Sequence, residues 1–520
     1  MKRLIPFILV ILAGCNQQAP DSVEGSLPGH PYAIPRFDDS TSFSTLEKAF
    51  PVIDRLFVTY AERNHLPSIS YGIIAGGRLV HSLSIGTANI EKGIPSSERT
   101  LYRIASMSKS FTAMAILKLR DEGKLSLRDP VEKCIGEMAN AGRLTADASP
   151  VTILDLMTMS SGLPEDNPWA DRQLDDTDEE LLEVLRKGLS WSNVPGVNYE
   201  YSNLGFAMLG RIITLVSGKP FQKYITENIL RPLGMNDTGY EYGDMHEEQL
   251  APGYQWSNGT WNGVPLLHDG SYGSIGGMIS SVEDFSRYVA LHLDAWPPRD
   301  DAENGPVRRS TIREMQQPWR FSSLASTARD GRGEPCPNVT GYGYGLAWRK
   351  DCRGIVRIGH SGGLPGFGSA WQIYPDYGIG IVSFANNTYA GTTNINTIAL
   401  DSLVAVGNLR PRALATSSIL RQRLEEIIEI LPGWKEEQTA IFADNFFQDE
   451  SVEIRRATAQ RIFDEAGQVI RIHEPVPLNQ LRGSVIIECE RRNIRVSITL
   501  NPEREALIQQ LDIRSTARQD

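Results

Sequence analysis

"RIASMSKSFTAM", residues 103 to 114, is the stretch on which the reading of this chain turns. It sets Ser106 and Lys109 three positions apart, where a loop gives way to an apolar segment running from Phe111 to Leu119. That segment is apolar around most of its circumference, which predicts a helix buried inside a domain rather than one on its surface. Residues one helical turn apart share a face, so the ammonium of Lys109 can reach the hydroxyl of Ser106. A serine hydroxyl is a poor nucleophile until a base takes its proton. A lysine buried against apolar neighbours loses basicity and can serve as that base near neutral pH. If the helix begins at Ser106, its free N–H groups also help bind an oxyanion. The plainer alternative is a helix start with a serine cap and a surface lysine, and so short a motif does not separate the two.

Other segments supply context. Tyr201-Ser202-Asn203 lies in "VPGVNYEYSNLGF", residues 194 to 206. A phenol beside a lysine ammonium can carry a proton between nucleophile and leaving group. An asparagine amide can hold both a substrate carbonyl and the lysine. Here the alternative is a loop whose tyrosine packs and whose asparagine starts the next helix. His-x-Gly occurs as His268-Asp269-Gly270 and as His360-Ser361-Gly362. His360 is expected to end a strand, "GIVRIGH", and "SGGLPGFGSAWQIYP" returns from it as a hairpin. Glycines there would let a ligand lie along an exposed edge. His268 opens a Gly-Ser loop with no strand before it and is read as a loop residue. The acidic run "DDTDEELLE", residues 175 to 183, is read as a solvated helix start capped by Thr177 and Glu180.

The organisation around these motifs is α+β. "SISYGIIAGGRLVHSLSIGTA", residues 68 to 88, alternates about Gly76-Gly77 and predicts a β-hairpin. "GYGLAWR", "GIVRIGH", "FGSAWQIYP" and "GIGIVSFANN" predict successive antiparallel strands, closed by a helix over roughly 393–406. Between the two strand regions the periodicity is helical, and Ser281 with Asp284 has the form of a capping box. Strands at both ends with helices between them predict one antiparallel sheet flanked by helices. A second unit, residues 417–520, has two helical segments and at least three strands, an order that suits a cone-shaped fold of the cystatin or NTF2 kind.

Taken in order, SxxK opening an apolar helix, then Tyr-x-Asn, then His-Ser-Gly on a strand, these motifs resemble the penicillin-recognising serine hydrolases. The resemblance is to class C β-lactamases, S12-type DD-peptidases and their esterase relatives, and spans about residues 45 to 406. "VTILDLMTMSSGLP", "ILRPLGMNDTGY" and "GSIGGMISSVEDFSRY" add to it. It implies a β-lactamase/transpeptidase-like domain over 45–407, with Ser106 as the acylated nucleophile, Lys109 as its partner and Tyr201 as proton shuttle. Asn203 would orient the substrate amide, and His360 and Ser361 would line the substrate strand. The N–H groups of Ser106 and Gly363 would form the oxyanion hole. His360 stands where β-lactamases carry a third-motif lysine, which favours peptidase, amidase or esterase activity over a dedicated β-lactamase. The alternatives are class C-like β-lactamase activity, or a protein that binds peptidoglycan or β-lactams without turnover.

Composition sets the outer limits. The chain has 520 residues and a formal net charge of −11, which argues against nucleic acid as a partner. No Walker loop, HExxH or paired CxxC occurs, so neither metal nor cofactor is expected. Lys2 and Arg3 precede an apolar run from Leu4 to Leu12, too short to span a bilayer. Leu12-Ala13-Gly14-Cys15 resembles the lipobox of bacterial lipoproteins, which implies a signal peptide over 1–14, lipid on Cys15 and a flexible tether over 15–44; the plainer alternative is a secretory signal that happens to contain Cys15. The expected address is a bacterial membrane, facing the periplasm or exterior, and Asn16 after the cysteine points to the outer membrane if the host is Gram-negative. Export implies an oxidising compartment, and Cys336 and Cys352 are the candidate disulfide. Cys134 and Cys489 are read as buried free thiols.

Overall fold

A computed structural model describes residues 45–330, 333–412, 415–434 and 440–517. The signal peptide, Cys15 and the tether expected from the sequence lie outside the described residues. The chain divides into two compact units, with the boundary between residues 412 and 415.

The larger unit is built on a nine-stranded sheet. Helix α1 (Phe50–Arg63) starts with proline in its first turn and turns Ile53, Phe57 and Ala61 inward. Strands β1 (Ser68–Ala75) and β2 (Arg78–Asn89) form the expected hairpin. Gly76 and Gly77 both have positive φ, as a two-residue turn of the I′ kind requires. After β3 (Ile94–Pro95) the chain leaves the sheet. It passes through helix α2 (Ser108–Asp121), helix α3 (Asn203–Ser217) and helix α4 (Val282–Asp294), with short helices and turns between. It then returns as β4 (Arg320–Ala325), β5 (Asn338–Tyr342), β6 (Ala347–Asp351), β7 (Val356–Leu364), β8 (Phe367–Tyr374) and β9 (Ile379–Ala385), and ends in α5 (Thr393–Val406). The sheet order is β3-β2-β1-β9-β8-β7-β6-β5-β4, and each of these pairings is antiparallel. Strand β1 therefore meets β9, with Ile73 opposite Ile381, so the two ends of the unit close one sheet around the helical insertion.

Side-chain alternation along β9 splits the core in two. Val382 and Phe384 face the helical insertion, where Phe285 and Tyr288 of α4 pack against Trp371. Ile379, Ile381 and Ala385 face α1 and α5. Phe111 of α2 stacks on Tyr288, with ring centres 3.9 Å apart, which ties the buried helix to the sheet. This is the β-lactamase/transpeptidase-like α+β arrangement that the sequence suggested. Some details differ. Ser281 caps α4 by accepting from Asp284 N–H, but the box does not close. The Asp284 carboxylate instead accepts from Asp237 N–H and Thr238 Oγ1. "GYGYGLAWR" is two strands with a turn over 343–346, and β4 escaped notice because it leaves Phe321 and Leu324 exposed at the sheet's edge. Thr177 and Glu180 form the full capping box.

The smaller unit has α6 (Ser418–Ile430), α7 (Val452–Ala466) and strands β10 (Val469–Ile472), β11 (Val476–Asn479), β12 (Arg482–Cys489), β13 (Asn493–Leu500) and β14 (Ile508–Thr516). They make a five-stranded sheet in which β10 and β11 both pair with β12. Leu420, Leu424 and Ile427 of α6 share a core with Val485, Ile487, Val496 and Ile498. Cys489 is buried there and Cys134, in the larger unit, is half-buried; both are free thiols.

Cys336 and Cys352 form a disulfide, with Cα atoms 5.2 Å apart and a sequence separation of 16. Closing a loop of this length restricts the unfolded chain. Replacing both cysteines by serine is expected to lower the stability of the larger unit by about 3 kcal/mol. A urea unfolding curve checks this, and an unchanged midpoint would show that the crosslink adds nothing.

Candidate active site

The site begins with how the chain enters the turn at Ser106. Tyr102–Arg103 pairs with Ile279–Ser280, and Ile104 N–H donates to Met278 O. Arg103 is almost fully buried. Its guanidinium donates to Gly277 O and Leu267 O, both at 2.7 Å, and to the Tyr242 hydroxyl at 2.9 Å. These contacts hold the loop 267–277 against the turn. Ala105 then takes a φ of 50°, sparsely populated for any residue but glycine, and such strain gathers at functional sites. Ser106 consequently sits in a short 3-10 turn (Ala105–Met107), and α2 starts at Ser108 rather than at Ser106 as the sequence suggested.

Lys109 is fully buried, unlike a surface lysine. Its Nζ donates to Ser106 Oγ at 3.0 Å and to the backbone carbonyl of Ile275 at 3.0 Å. Nζ also lies 5.0 Å from the centre of the Tyr201 ring and 6.0 Å from that of Phe206. Burial pulls the Lys109 pKa down to about 7, against the opposing charges of Asp171 and Asp166. A substantial fraction of neutral amine is thus present at neutral pH, within hydrogen-bond distance of the hydroxyl it would deprotonate.

Tyr201 is placed by the start of α3. The Asp166 carboxylate accepts from Asn203 N–H at 2.7 Å and Leu204 N–H at 2.9 Å, neutralising the open end of that helix. Ser202 Oγ caps it from within by accepting from Gly205 N–H. Burial holds the Tyr201 phenol well above its usual pKa, with the Ser106 hydroxyl partly opposing the rise. The phenol is therefore protonated at neutral pH. Asn203 is fully buried, and its Nδ2 donates to Asn167 Oδ1 at 2.8 Å, leaving Oδ1 without a partner among the described residues.

His360 differs from its expected part. It does not end a strand, since β7 runs on through Ser361, Gly362 and Gly363 to Leu364. Its Nδ1–H donates to Ser361 O at 2.6 Å, so Nε2 is the acceptor and takes the Tyr342 hydroxyl at 3.0 Å. Burial first, and then the charge of Lys109, pull its pKa down to about 3. The imidazole is therefore neutral at neutral pH.

The expected open edge is present for part of β7. Strand β6 pairs only as far as Gly359, so residues 360–364 have β8 on one side and no strand on the other. The glycines serve the protein's own packing. A Cβ on Gly362 would stand 2.4 Å from Ile104 O and 2.8 Å from Ala105 Cβ, so only glycine lets β7 press onto the turn that carries Ser106. A cavity of about 360 Å³ adjoins the site, lined among others by Tyr199, Tyr201, Tyr342, His360 and Ser361. His268 is an exposed loop residue bonded to Glu241.

The structure thus brings Ser106, Lys109, Tyr201 and the Ser361–Gly363 edge into one region between sheet and helices. Asp166, Asp171, Tyr342 and Ile275 O also belong to it and went unnoticed in the sequence. No local pattern marks the two aspartates, and a backbone carbonyl has no sequence signal.

A buried lysine on a serine at the start of a buried helix, under an antiparallel sheet, defines the β-lactamase/transpeptidase-like class of fold. The chain belongs to the Beta-lactamase family, whose model matches residues 53–405. Among curated proteins it is similar to Protein flp of Staphylococcus aureus (strain N315), 29% identical over 340 residues, which cover 64% of this chain and 62% of that protein. The chain therefore spans about three fifths of that relative's length. It is also similar to Beta-lactamase-like protein 2 of Dictyostelium discoideum, 32% identical over 260 residues, covering 49% of this chain and 47% of that protein. The octameric penicillin-binding protein homologue from Pyrococcus abyssi shares the fold, with TM-score 0.56 at 24% identity, covering 91% of this chain and 96% of that one. A penicillin binding protein from Bacillus halodurans matches with TM-score 0.51 at 25% identity, covering 67% and 98%.

If Lys109 is the base, its neutral form is the active one, so the rate is lost as pH falls. Labelling of Ser106 by an activated ester or a fluorophosphonate is expected to rise about tenfold per pH unit below about 7 and to level off above it. Lys109→Ala should cut the rate by roughly 10²–10⁴-fold with an unchanged circular dichroism spectrum. A flat profile in a folded, fully reactive variant would remove the lysine from the mechanism.

Proposed function

We propose that this chain is an exported serine hydrolase that forms an acyl-enzyme on Ser106 and acts on a peptide, amide or ester. The observation that carries this reading is the 3.0 Å contact between Lys109 Nζ and Ser106 Oγ, made by a lysine without solvent around it. Neutral Lys109 accepts the Ser106 proton as Oγ attacks the substrate carbonyl. The N–H groups of Ser106 and Gly363 take the oxyanion charge, and no solvent reorganisation is needed for donors already fixed in place. Tyr201, protonated and beside Lys109, hands its proton to the leaving group as the tetrahedral centre collapses and takes back the proton that Lys109 accepted from Ser106, leaving the amine neutral again. Water then releases the acyl group by the reverse of this traffic.

His360 favours the ester and peptide side of the family. A neutral imidazole with both nitrogens engaged supplies no cation for a carboxylate, so efficient β-lactam turnover lacks one of its attractions. Asn203, with Nδ2 engaged by Asn167, has only Oδ1 free to orient a substrate N–H. We further propose that Cys15 carries lipid, holding the hydrolase on the periplasmic or outer face of a bacterial membrane. The lipobox-like Leu12-Ala13-Gly14-Cys15 supports this. Among the described residues no helix is long and apolar enough to cross a membrane.

Intact mass spectrometry of the full chain with a penicillin and with an activated ester tests the first proposal, Ser106→Ala serving as control. A single adduct mapped to Ser106 is expected from the ester, cleared within minutes. A penicillin adduct that persists would mark binding without turnover, and no adduct from either reagent would overturn the reading. Radiolabelled palmitate should enter the wild-type chain in a bacterial host and not Cys15→Ser; equal labelling would rule out the lipid site.

A further inference from the structure

The open stretch of β7 ends against a residue that the mechanism above does not use. Tyr389 follows β9, and its N–H donates to Leu364 O and Phe367 O at the tip of the β7–β8 hairpin. Its ring lies directly on Gly363: a Cβ added there would meet Tyr389 Cδ1 at 2.8 Å. Its hydroxyl reaches across to the helical side and donates to Asp171 Oδ2 at 3.1 Å. The ring therefore joins the two sides of the site just beyond the N–H assigned to the oxyanion hole. Two features set it apart from a packing tyrosine. It is 46% exposed although it holds these contacts, and its φ of 52° is an outlier for a bulky residue.

We infer that Tyr389, tethered by Asp171, is a specificity-determining residue that stops the Gly363 end of the cleft and limits the length of the acyl group the site accepts. The inference rests on Ser106 being the acylated nucleophile. A substrate laid along residues 360–364 runs from His360 toward Leu364 and meets the tyrosine ring at its end. Glycine at 363 is what allows the ring to sit so close, because any side chain there would push it away. The same tether connects the stop to the base. Asp171 faces Lys109, Asp166, Arg172 and Tyr389, and burial raises its pKa to about 6 while Lys109 and the Tyr389 hydroxyl oppose that rise. Lys109 in turn faces Asp171, Asp166, Ser106, Tyr201 and His360. Removing the hydroxyl therefore leaves Asp171 less ionised and Lys109 a weaker base.

The test uses the full chain, Tyr389→Ala and Tyr389→Phe, with p-nitrophenyl esters from acetate to decanoate. In Tyr389→Ala the ratio of kcat/KM for the long ester to that for the short one is expected to rise by about tenfold or more, the scale at which a pocket discriminates by a few methylenes. Tyr389→Phe keeps the ring, so a change in its behaviour reports the tether alone. Its rising pH limb should move to lower pH by on the order of half a unit, because the Asp171 charge that sustains Lys109 is diminished. A merely structural role would move neither reading. An unchanged ester ratio in a folded Tyr389→Ala, or an unmoved limb in Tyr389→Phe, overturns the proposal while Ser106 is still labelled in the wild type. Failure to label Ser106 in the wild type would instead overturn the nucleophile assignment and this inference with it.

Discussion

The hydrogen bond from Lys109 Nζ to Ser106 Oγ constrains the rest of the larger unit. A lysine amine without solvent is tolerated only where its polar head finds fixed partners, because desolvation penalises its charged form heavily. The fold meets that demand with one hydroxyl, one backbone carbonyl and two aromatic faces. The Ile275 carbonyl is where it is because Arg103, itself buried, grips the loop at Leu267 and Gly277. The serine is where it is because Ala105 takes a strained conformation and Gly362 lets the sheet press against it. Each of these placements is local, but all of them serve a single contact of 3.0 Å.

Electrostatics in the site are arranged around weakly charged or neutral groups rather than ion pairs. Lys109 is brought close to neutrality, His360 is neutral with its tautomer set by Ser361 O, and Tyr201 keeps its proton. The two aspartates counterbalance this: burial raises both, and each favours the protonated lysine. Asp166 has a second duty at the start of α3, where it also holds the segment that carries Tyr201.

The family assignment rests on residues 53–405, and the smaller unit stands apart from it. That unit has its own core of aliphatic residues from α6 and the sheet, joined by the stacked aromatics Trp434, Phe442 and Phe446. The coverage of 91% in the comparison with the Pyrococcus abyssi structure is wider than the matched family span alone, so the likeness of fold is not confined to the larger unit. Strand β14 was missed in the sequence because only Ile508 of its nine residues is buried, leaving no alternation to read. Edge strands β4 and β14 share that property, and both went unread for the same reason.

What the sequence determined by itself was whatever is written in spacing. The three-residue interval of Ser106 and Lys109 on an apolar helix, the alternation on either side of Gly76-Gly77 and the order of motifs along the chain were enough for the fold and for the contact between Ser106 and Lys109. Helical and strand periods are properties of neighbouring residues, and burial acts on them uniformly. Tertiary structure alone decided which polar groups meet. Tyr342 fixes His360 from a different strand, Asp171 and Tyr389 are 218 positions apart, and Ile275 acts through its backbone. The charge state of His360 was illegible for the same reason: it follows from desolvation and from the field of Lys109, both of which exist only once distant segments have closed around the ring.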